Sequence, residues 1–310
     1  MKVLVTGGAG FIGSNLADRL VADGHQVVVV DDLSSGKRHQ VPVGANFYQM
    51  DVESRWLDRV VEKEQPEAVC HLAAQMSVSR SVREPLFDAR VNIIGSLGLL
   101  AACQAHGVKR VVFASTGGAI YGEAEVIPTP ETYTAAPVSP YGASKLSFEH
   151  YLHVYREIHG LSSVALRFAN VYGPRQDPHG EAGVVAIFSR ALLAGAVPTI
   201  HGSGGETRDY VYVGDVVEAV VAGLRSDVRG SYNVGTATET DVNALYSLIA
   251  SAVGTDRVAE HGPDRPGNQK RSCVAIDRIR DELGWTPRVA LADGIPLTVD
   301  YFRTEALSQV

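Results

Sequence analysis

Two side chains four positions apart, Tyr141 and Lys145, are suited to proton transfer. Ser139 and Pro140 precede them and are typical of the N-cap and first residue of a helix. On a helix, the four-residue spacing places the phenol and the ammonium on one face. An ammonium close to a phenol favours the phenolate and lowers the tyrosine pKa. The pair therefore predicts a general base that works near neutral pH.

Two hydroxyl groups, those of Ser115 and Thr116, follow an apolar run that predicts a strand. A hydroxyl at the carboxyl end of a parallel strand can bridge the reacting oxygen of a substrate and the tyrosine. Either residue fits this position, so both are candidates.

A glycine-rich turn lies between the first predicted strand and the first predicted helix. Gly7, Gly10 and Gly13 follow a G-x-x-G-x-x-G spacing. The first glycine permits the tight turn, the second lets the backbone approach a pyrophosphate, and the third allows the helix to pack against the strand. The helix that starts with Phe11 and Ile12 then directs its free N–H groups and its dipole at the phosphates. This context predicts a dinucleotide site.

An acidic residue, Asp31, ends the second predicted strand 18 positions after Gly13. A carboxylate there accepts hydrogen bonds from the adenosine ribose hydroxyls and repels a 2′-phosphate. The neighbouring Asp32 strengthens the repulsion, so the sequence favours NAD over NADP. Asp51 and Val52 follow the third predicted strand and are candidates for contact with the adenine.

The elements that position these residues alternate between short apolar strands and longer helices over residues 1–168, which predicts βαβ units and a parallel sheet. Right-handed crossovers then give a doubly wound α/β Rossmann sheet as the NAD-binding domain. Residues 169–310 are richer in Gly and Pro and predict a smaller C-terminal α/β domain for the substrate, with the chain crossing back to the sheet. The strands and helices predicted are Lys2–Thr6, Phe11–Ala22, Gln26–Val30, Asn46–Met50, Ser54–Glu64, Ala68–Leu72, Asp88–His106, Arg110–Ser115, Ser139–His159, Ser163–Phe168, Val184–Leu193, Val213–Leu224 and Asn243–Val253.

Composition excludes several classes of protein. The 310 residues are 45% hydrophobic and 20% charged, which is typical of a globular protein and excludes a disordered chain or a coiled coil. The net charge of −7 and the scattered basic residues argue against nucleic acid as a partner. We expect no membrane span and no signal peptide, and hence a cytoplasmic protein. The three cysteines fit neither a disulfide framework nor a zinc site.

Together these motifs resemble the extended short-chain dehydrogenase/reductases that act on nucleotide sugars, and among them the UDP-hexose 4-epimerases. The resemblance covers essentially the whole chain. Beyond the glycines, Asp31 and Tyr141-x-x-x-Lys145, it rests on His71-Leu72-Ala73-Ala74, Asn92, Ser115 to Gly122, Asn170 to Gln176 and Thr207 to Tyr210.

The resemblance implies NAD-dependent 4-epimerisation of a UDP-hexose, UDP-galactose or UDP-glucose, through a 4-keto intermediate. Tyr141 is then the base and acid, Lys145 holds the nicotinamide ribose, and Thr116 bridges substrate and tyrosine, with Ser115 as the alternative. The substrate residues implied, which also include Thr116 and Tyr141, are Asn170, Val185, Thr199, His201, Arg208, Arg265, Asn268 and Ser272. Asn170, Arg208 and Arg265 would contact the diphosphate, since a guanidinium pairs with phosphate oxygens.

Further cofactor contacts follow from the same resemblance, together with a homodimer formed through the helices of Asp88–His106 and Ser139–His159. The cofactor residues implied are Gly7, Gly10, Phe11, Ile12, Gly13, Asp31, Asp32, Leu33, Ser34, Gly36, Asp51, Val52, Leu72, Ala73, Ala74, Gln75, Asn92, Tyr141, Lys145 and Phe168.

Five positions refine the interpretation. Met76 and Asn268 stand where some relatives carry Lys and Asp. Gly117 and Gly118 occupy the place of the acidic pair that nucleotide-sugar 4,6-dehydratases need to move a proton, which disfavours a dehydratase. Ser272 replaces a bulky aromatic residue of some epimerases, so we expect room for an N-acetyl group on the sugar.

Other activities stay open at this level: a UDP-glucuronate 4-epimerase or decarboxylase, a net nucleotide-sugar dehydrogenase, and a non-catalytic NAD-binding protein. The last has no use for Tyr141, Lys145 and a strand-end hydroxyl together. His179 next to a single nearby Glu is typical of a solvated loop, and no metal is predicted.

Overall fold

The strands of this protein form one large sheet and several small ones. The computed structural model describes residues 1–178, 183–264 and 269–307. Within these ranges the strands are β1 (Lys2–Thr6), β2 (Gln26–Asp31), β3 (Asn46–Gln49), β4 (Ala68–His71), β5 (Arg110–Thr116), β6 (Ser162–Phe168), β7 (Asn170–Tyr172), β8 (Thr199–His201), β9 (Thr207–Arg208), β10 (Tyr210–Tyr212), β11 (Gly230–Val234), β12 (Thr240–Asp241), β13 (Glu260–Gly262) and β14 (Arg271–Ser272).

The helices of the described residues alternate with the first six strands and then become separated by loops. They are α1 (Phe11–Ala22), α2 (Leu57–Glu64), α3 (Val78–Arg83), α4 (Pro85–Ala89), α5 (Ser96–Ala105), α6 (Gly117–Ile120), α7 (Pro140–His159), α8 (Val184–Leu193), α9 (Val213–Arg225), α10 (Val242–Val253), α11 (Asp277–Leu283) and α12 (Leu291–Leu307).

The large sheet has seven parallel strands in the order β11-β6-β5-β4-β1-β2-β3. The order reverses between β1 and β4, and the crevice at such a switch point is where open α/β sheets bind ligands. The predicted doubly wound fold is confirmed. Strand β11, from the second half of the chain, pairs with β6, so the sheet takes residues from both sides of position 168.

Two apolar layers cover the sheet. Val3, Val5 and Val29 pack on one face against α1 and α9, while Leu4, Val28 and Phe113 pack on the other against α2, α5 and α7. Because both faces are covered, the strands are continuous apolar runs rather than alternating ones. A third core lies among α8, α10 and α12 and holds the C-terminal part together.

The single helix predicted over Asp88–His106 is broken and begins earlier. Helix α4 starts at Pro85, a wide π-helical stretch follows over Arg90–Gly95, and α5 continues to Ala105. The stretch contains Asn92, whose side chain is hydrogen-bonded to Gln75 on a neighbouring loop. Such π stretches are frequent at functional sites.

This same segment, Pro85–Ala105, is long and apolar enough to span a membrane by length and composition. Half of its most apolar window is buried inside the protein. No span is predicted here from the sequence, because charged residues interrupt the apolar run.

Candidate active site

The glycine turn is closed by backbone contacts that leave no space for side chains. Gly7 has a φ of +69°, and a Cβ on it would lie 2.7 Å from the amide nitrogen of Ala73. A Cβ on Gly13 would lie 2.0 Å from the Gly7 carbonyl oxygen. Helix α1 begins directly afterwards, and no described side chain caps its first turn. This cradle fits a dinucleotide pyrophosphate held by backbone N–H groups.

Asp31 lies at the end of β2, where its carboxylate organises the loop that follows. Its Oδ2 accepts a hydrogen bond from the Ala9 amide at 2.9 Å, and its Oδ1 accepts one from the Leu33 amide at 2.8 Å. Burial raises the pKa of Asp31, against the effect of these two bonds. The carboxylate is thus fixed beside the glycine turn, as a ribose contact requires.

The carboxylate of the neighbouring Asp32 stabilises the turn that follows it. Its Oδ1 accepts hydrogen bonds from the amide and the hydroxyl of Ser34, at 2.9 and 2.6 Å. Leu33, between them, has a φ of +62°. At Gly36 the chain lies next to Asp31 again, because a Cβ on this glycine would lie 2.8 Å from Oδ1 of Asp31.

The other cofactor candidates follow β3, β4 and β6. The Asp51 carboxylate accepts a hydrogen bond from the Glu53 amide at 2.7 Å, and the Val52 side chain is buried in the core. Leu72 and Ala73 pass directly beside Gly7, and Phe168 pairs in register with Thr116. Of the remaining candidates, Ala74 precedes Gln75, whose amide donates to Oδ1 of Asn92 at 2.9 Å.

Tyr141 and Lys145 lie in the first two turns of α7. The Ser139 hydroxyl caps the helix by accepting from the Gly142 amide at 3.2 Å, and Pro140 is its first residue, as predicted. Lys145 is 3% exposed, donates to the Ala114 carbonyl at 2.9 Å, and has its Nζ 5.8 Å from the centre of the Tyr141 ring.

The two ionisable groups differ from the expected pattern. Burial, reinforced by the charge of Asp88, raises the pKa of Tyr141, although a hydrogen bond with Thr116 acts in the opposite direction. Burial lowers the pKa of Lys145 to about 8, against the charges of Asp88 and Glu149. The prediction that Lys145 lowers the tyrosine pKa is wrong for this arrangement, because the ammonium bonds a carbonyl and burial opposes the phenolate.

The two candidate hydroxyls have different partners. Thr116 accepts from the Ala119 amide at 3.2 Å and is hydrogen-bonded to Tyr141. Ser115 lies on the opposite side of the strand and donates to the Glu149 carboxylate at 2.6 Å. The geometry thus brings Thr116, and not Ser115, to the phenol.

Three of the expected substrate residues converge beside Gly118. A Cβ on Gly118 would lie 3.8 Å from Oδ1 of Asn170 and 4.0 Å from Oγ of Ser272. Strands β14 and β9 pair so that Ser272 lies opposite Arg208. Gly117 has no room for a side chain, because its Cβ would lie 2.9 Å from Val274.

The remaining substrate candidates lie elsewhere. Val185 is 1% exposed within the third core. Thr199 and His201 belong to β8, which pairs with β13 in a separate two-stranded sheet. Arg265, Asn268 and His179 lie outside the described residues. Among those that are described, no group of three or more His, Cys, Asp or Glu side chains could hold a metal ion.

Two buried charges beside this site, Asp88 and Glu149, are not among the residues predicted from the sequence. Asp88 accepts hydrogen bonds from Gln75 at 2.8 Å and Asn92 at 3.0 Å. Glu149 forms a buried ion pair with Arg167 at 2.6 Å. Each charge lies four positions from a predicted site residue, Asn92 or Lys145, and that spacing is the signal that could have found them.

Comparison with known proteins places this geometry in a family. The family model described as "NAD dependent epimerase/dehydratase family" matches residues 3–235. A relative named UDP-glucose 4-epimerase, from Mycolicibacterium smegmatis, is 49% identical, covering 99% of this chain and 100% of its own.

Two solved structures are similar over nearly their whole length. The UDP-glucose 4-epimerase of Thermotoga maritima with UDP-glucose has a TM-score of 0.97 and 48% identity, covering 99% of this chain and 100% of that one. The UDP-glucose 4-epimerase of Thermus thermophilus in complex with NAD has a TM-score of 0.93 and 48% identity, covering 98% and 99%. The resemblance inferred from the motifs is confirmed: the chain belongs to the NAD dependent epimerase/dehydratase family.

Proposed function

We propose that this protein is an NAD-dependent UDP-hexose 4-epimerase that interconverts UDP-galactose and UDP-glucose. The observation that carries the proposal is the hydrogen-bonded pair of Tyr141 and Thr116 next to the buried Lys145, at the sheet edge that also carries the glycine turn. The relatives named UDP-glucose 4-epimerase support it.

The glycine turn and Asp31 fit NAD, which when bound supplies a reversible hydride acceptor for carbon 4 of the sugar. The Tyr141 oxygen takes the proton from the 4-hydroxyl as the 4-keto sugar forms, and returns it to the opposite epimer. Thr116 orients the reacting oxygen toward Tyr141. The Lys145 ammonium binds the nicotinamide ribose.

The substrate is held by its nucleotide while the sugar turns. Asn170 and Arg208, with Arg265 as a second cation, bind the diphosphate, and Asn268 binds the uridine ribose. This division has a physical reason: the 4-keto sugar must present both faces, so the binding energy has to come from the UDP.

Gly117 and Gly118 favour a 4-epimerase over a 4,6-dehydratase of the same family. A 4,6-dehydratase needs side chains that donate and accept a proton at this place, whereas the tight contact at Gly117 leaves no room for one. A uronic-acid enzyme would need cations around the sugar carboxylate, and a net dehydrogenase would exchange its cofactor.

The activity is tested by proton NMR of the purified protein with UDP-galactose and no added cofactor. We expect UDP-glucose to appear and settle at a constant ratio. An unchanged spectrum, followed by turnover of UDP-glucuronate, would favour the uronic-acid alternative. NADH formed in step with added NAD would favour the dehydrogenase.

A small side chain at Ser272 supports acceptance of N-acetylated sugars. Ser272 is 8% exposed, and a Cβ on the neighbouring Gly118 would meet no atom closer than Oδ1 of Asn170 at 3.8 Å, so there is space between Gly118 and the Ser272 hydroxyl. We expect UDP-N-acetylglucosamine and UDP-N-acetylgalactosamine to be interconverted, and Ser272→Tyr to abolish only that activity. Failure of both acetylated sugars, while the unsubstituted sugars react, would contradict this.

We also propose a cytoplasmic homodimer that binds neither nucleic acid nor membrane. Large apolar side chains are exposed along α3, α4, the π-helical stretch and α7, as expected for a helical interface; they are Val78, Val82, Leu86, Ile94, Tyr151, Val154 and Ile158. Cys70, Cys103 and Cys273 are buried free thiols, which fits a reducing compartment. Sedimentation velocity should show a dimer that Ile158→Glu dissociates.

A further inference from the structure

The buried carboxylate of Asp88 has no role in the proposed chemistry described so far. Asp88 is 1% exposed on α4. Its Oδ1 accepts hydrogen bonds from Nε2 of Gln75 at 2.8 Å and from Nδ2 of Asn92 at 3.0 Å. Its Oδ2 is buried and has no hydrogen-bond partner among the described residues. A carboxylate in this state is costly to the fold unless a nearby positive charge compensates it.

The hydrogen bonds of Asp88 connect the loop after β4 to the catalytic helix. Asn92 donates to the Gln75 carbonyl at 2.9 Å and to the Ser144 hydroxyl at 3.4 Å, and Ser144 directly precedes Lys145. Gln75 also donates to the Ser77 carbonyl at 3.0 Å and accepts from the Ser77 amide at 2.6 Å. Asp88 therefore lies at the centre of a rigid junction between α4, this loop and α7.

The charges around Asp88 are few. On α7, the negative charge of Asp88 acts on Lys145 and Tyr141, and that of Glu149 acts on the same lysine. On β4, His71 is buried near Lys145 and neutral, since burial and the charge of Lys145 lower its pKa to about 3.

The charged groups on the remaining neighbouring elements lie at the surface. On α3, Arg80 is paired with Glu84, and Arg83 is exposed. On the π-helical stretch, Arg90 is paired with Glu53. Among the described residues, Lys145 is thus the buried cation on which the charge of Asp88 acts.

We propose that Asp88 is a positioning residue that holds Lys145 in its ammonium form and so sets the pH range in which Tyr141 and Lys145 work. The proposal rests on the proposed function of that pair. The carboxylate acts on both partners in one direction: its negative charge retains the proton on Lys145 and disfavours the phenolate of Tyr141. Removing the charge should therefore move both titrations to lower pH.

The substitution Asp88→Asn isolates the charge. The asparagine carbonyl oxygen can still accept from Gln75 and Asn92, so the junction keeps its hydrogen bonds. Asp58→Asn is the matched control, because Asp58 is exposed on α2 and pairs with His106.

The first readout does not depend on turnover. The chain has six lysines, so NMR of ¹³C-lysine protein can resolve Lys145, identified by the signal that Lys145→Arg lacks. We expect a titration midpoint near 8 for Lys145 in the unmodified protein. Asp88→Asn should lower the midpoint by about one pH unit, a typical effect of one nearby charge, whereas Asp58→Asn should leave it unchanged.

The second readout is the pH profile of kcat with UDP-galactose. Both limbs should move to lower pH in Asp88→Asn, because the tyrosine and the lysine lose the same negative neighbour. A fall in kcat with neither the limbs nor the lysine midpoint displaced would assign Asp88 a purely structural role and overturn the proposal. If no UDP-hexose reacts, the proposed function fails, yet the lysine titration still decides the role of Asp88.

Folding of the variant is checked by near-UV circular dichroism. If Asp88→Asn does not fold, Asp88→Ser removes the charge with a smaller polar group and is judged by the same lysine midpoint. The unmodified protein gives a further test, since the carboxyl ¹³C signal of Asp88 should move with the midpoint of Lys145. A carboxyl signal that ignores this titration would contradict the proposal.

Discussion

Helix α7 carries two buried charges one turn apart, Lys145 and Glu149, and their surroundings differ. Lys145 donates to one carbonyl, and burial lowers its pKa to about 8. Glu149 accepts hydrogen bonds from Ser115 and Ser231 and a bidentate pair from Arg167. The Glu149 carboxylate joins β5, β6, β11 and α7, whereas Lys145 lies beside Tyr141 and donates to the Ala114 carbonyl near the end of β5. Perturbed ionisable groups of the second kind are typical of functional sites.

The largest effect is expected at the crevice. Tyr141→Phe removes the proton acceptor and should lower kcat by about 10²- to 10⁴-fold, the usual contribution of a general acid–base residue. The free energy of unfolding should change little. Tyr151→Phe, an exposed tyrosine of the same helix, is the control. A fully active Tyr141→Phe enzyme would refute the assignment.

The next effect is expected at the Glu149 carboxylate and concerns stability. Arg167→Met leaves the Glu149 carboxylate buried without its cation, which should lower the free energy of unfolding by about 3–5 kcal/mol. In the same urea unfolding measurement, the exposed control Arg59→Met should leave the free energy of unfolding essentially unchanged. A loss of kcat in Arg167→Met with an unchanged free energy of unfolding would contradict the assignment of the Arg167–Glu149 pair to stability.

The neighbouring hydroxyls of Ser115 and Thr116 test the same contrast, between a residue that supports catalysis and one that supports stability. Thr116→Val removes a hydrogen bond to the reacting phenol and should lower kcat by roughly 10- to 100-fold, the effect of a bond to a charged group. Ser115→Ala should retain kcat within about twofold and cost about 1 kcal/mol of stability. Steady-state kinetics and urea unfolding of both variants are the measurements, and the reverse result would make Ser115 the bridging residue.

The smallest effect is a dependence of stability on pH. It comes from His71, on the side of the sheet that carries Lys145. His71 is fully buried between the Thr6 and Ser96 hydroxyls, at 2.7 and 2.8 Å, and its pKa falls to about 3. The unfolded chain binds this proton near pH 6.5, so the stabilising contribution is present above pH 6.5 and is lost as the pH falls toward 3.

The loss expected from His71 is about 1.4 kcal/mol per pH unit, measured by urea unfolding between pH 7.5 and 5. The exposed His153 provides the control, since His153→Gln should leave this slope unchanged. A His71 ring signal that titrates near pH 6.5 in the folded protein would contradict the expectation.

Local chemistry made most of the first half predictable. Helix α1 begins and ends where predicted, at Phe11 and Ala22, because a glycine turn starts it and a strong apolar period runs through it. Ser139 and Pro140 likewise determine the start of α7. The C-terminal sheets were missed, since their strands are two or three residues long and carry no periodicity.

The sequence by itself determined the doubly wound fold, the glycine turn with Asp31, and the pairing of Tyr141 with Lys145, since each depends on local spacing. Only the tertiary structure decided whether Ser115 or Thr116 reaches the Tyr141 phenol. Neighbouring residues of a strand point to opposite faces of the sheet, so a shift of one residue in register would exchange the two hydroxyls. It also decided the direction of the Tyr141 pKa. Burial and the charge of Asp88 raise that pKa against the hydrogen bond with Thr116, and Asp88 lies far from Tyr141 in the chain.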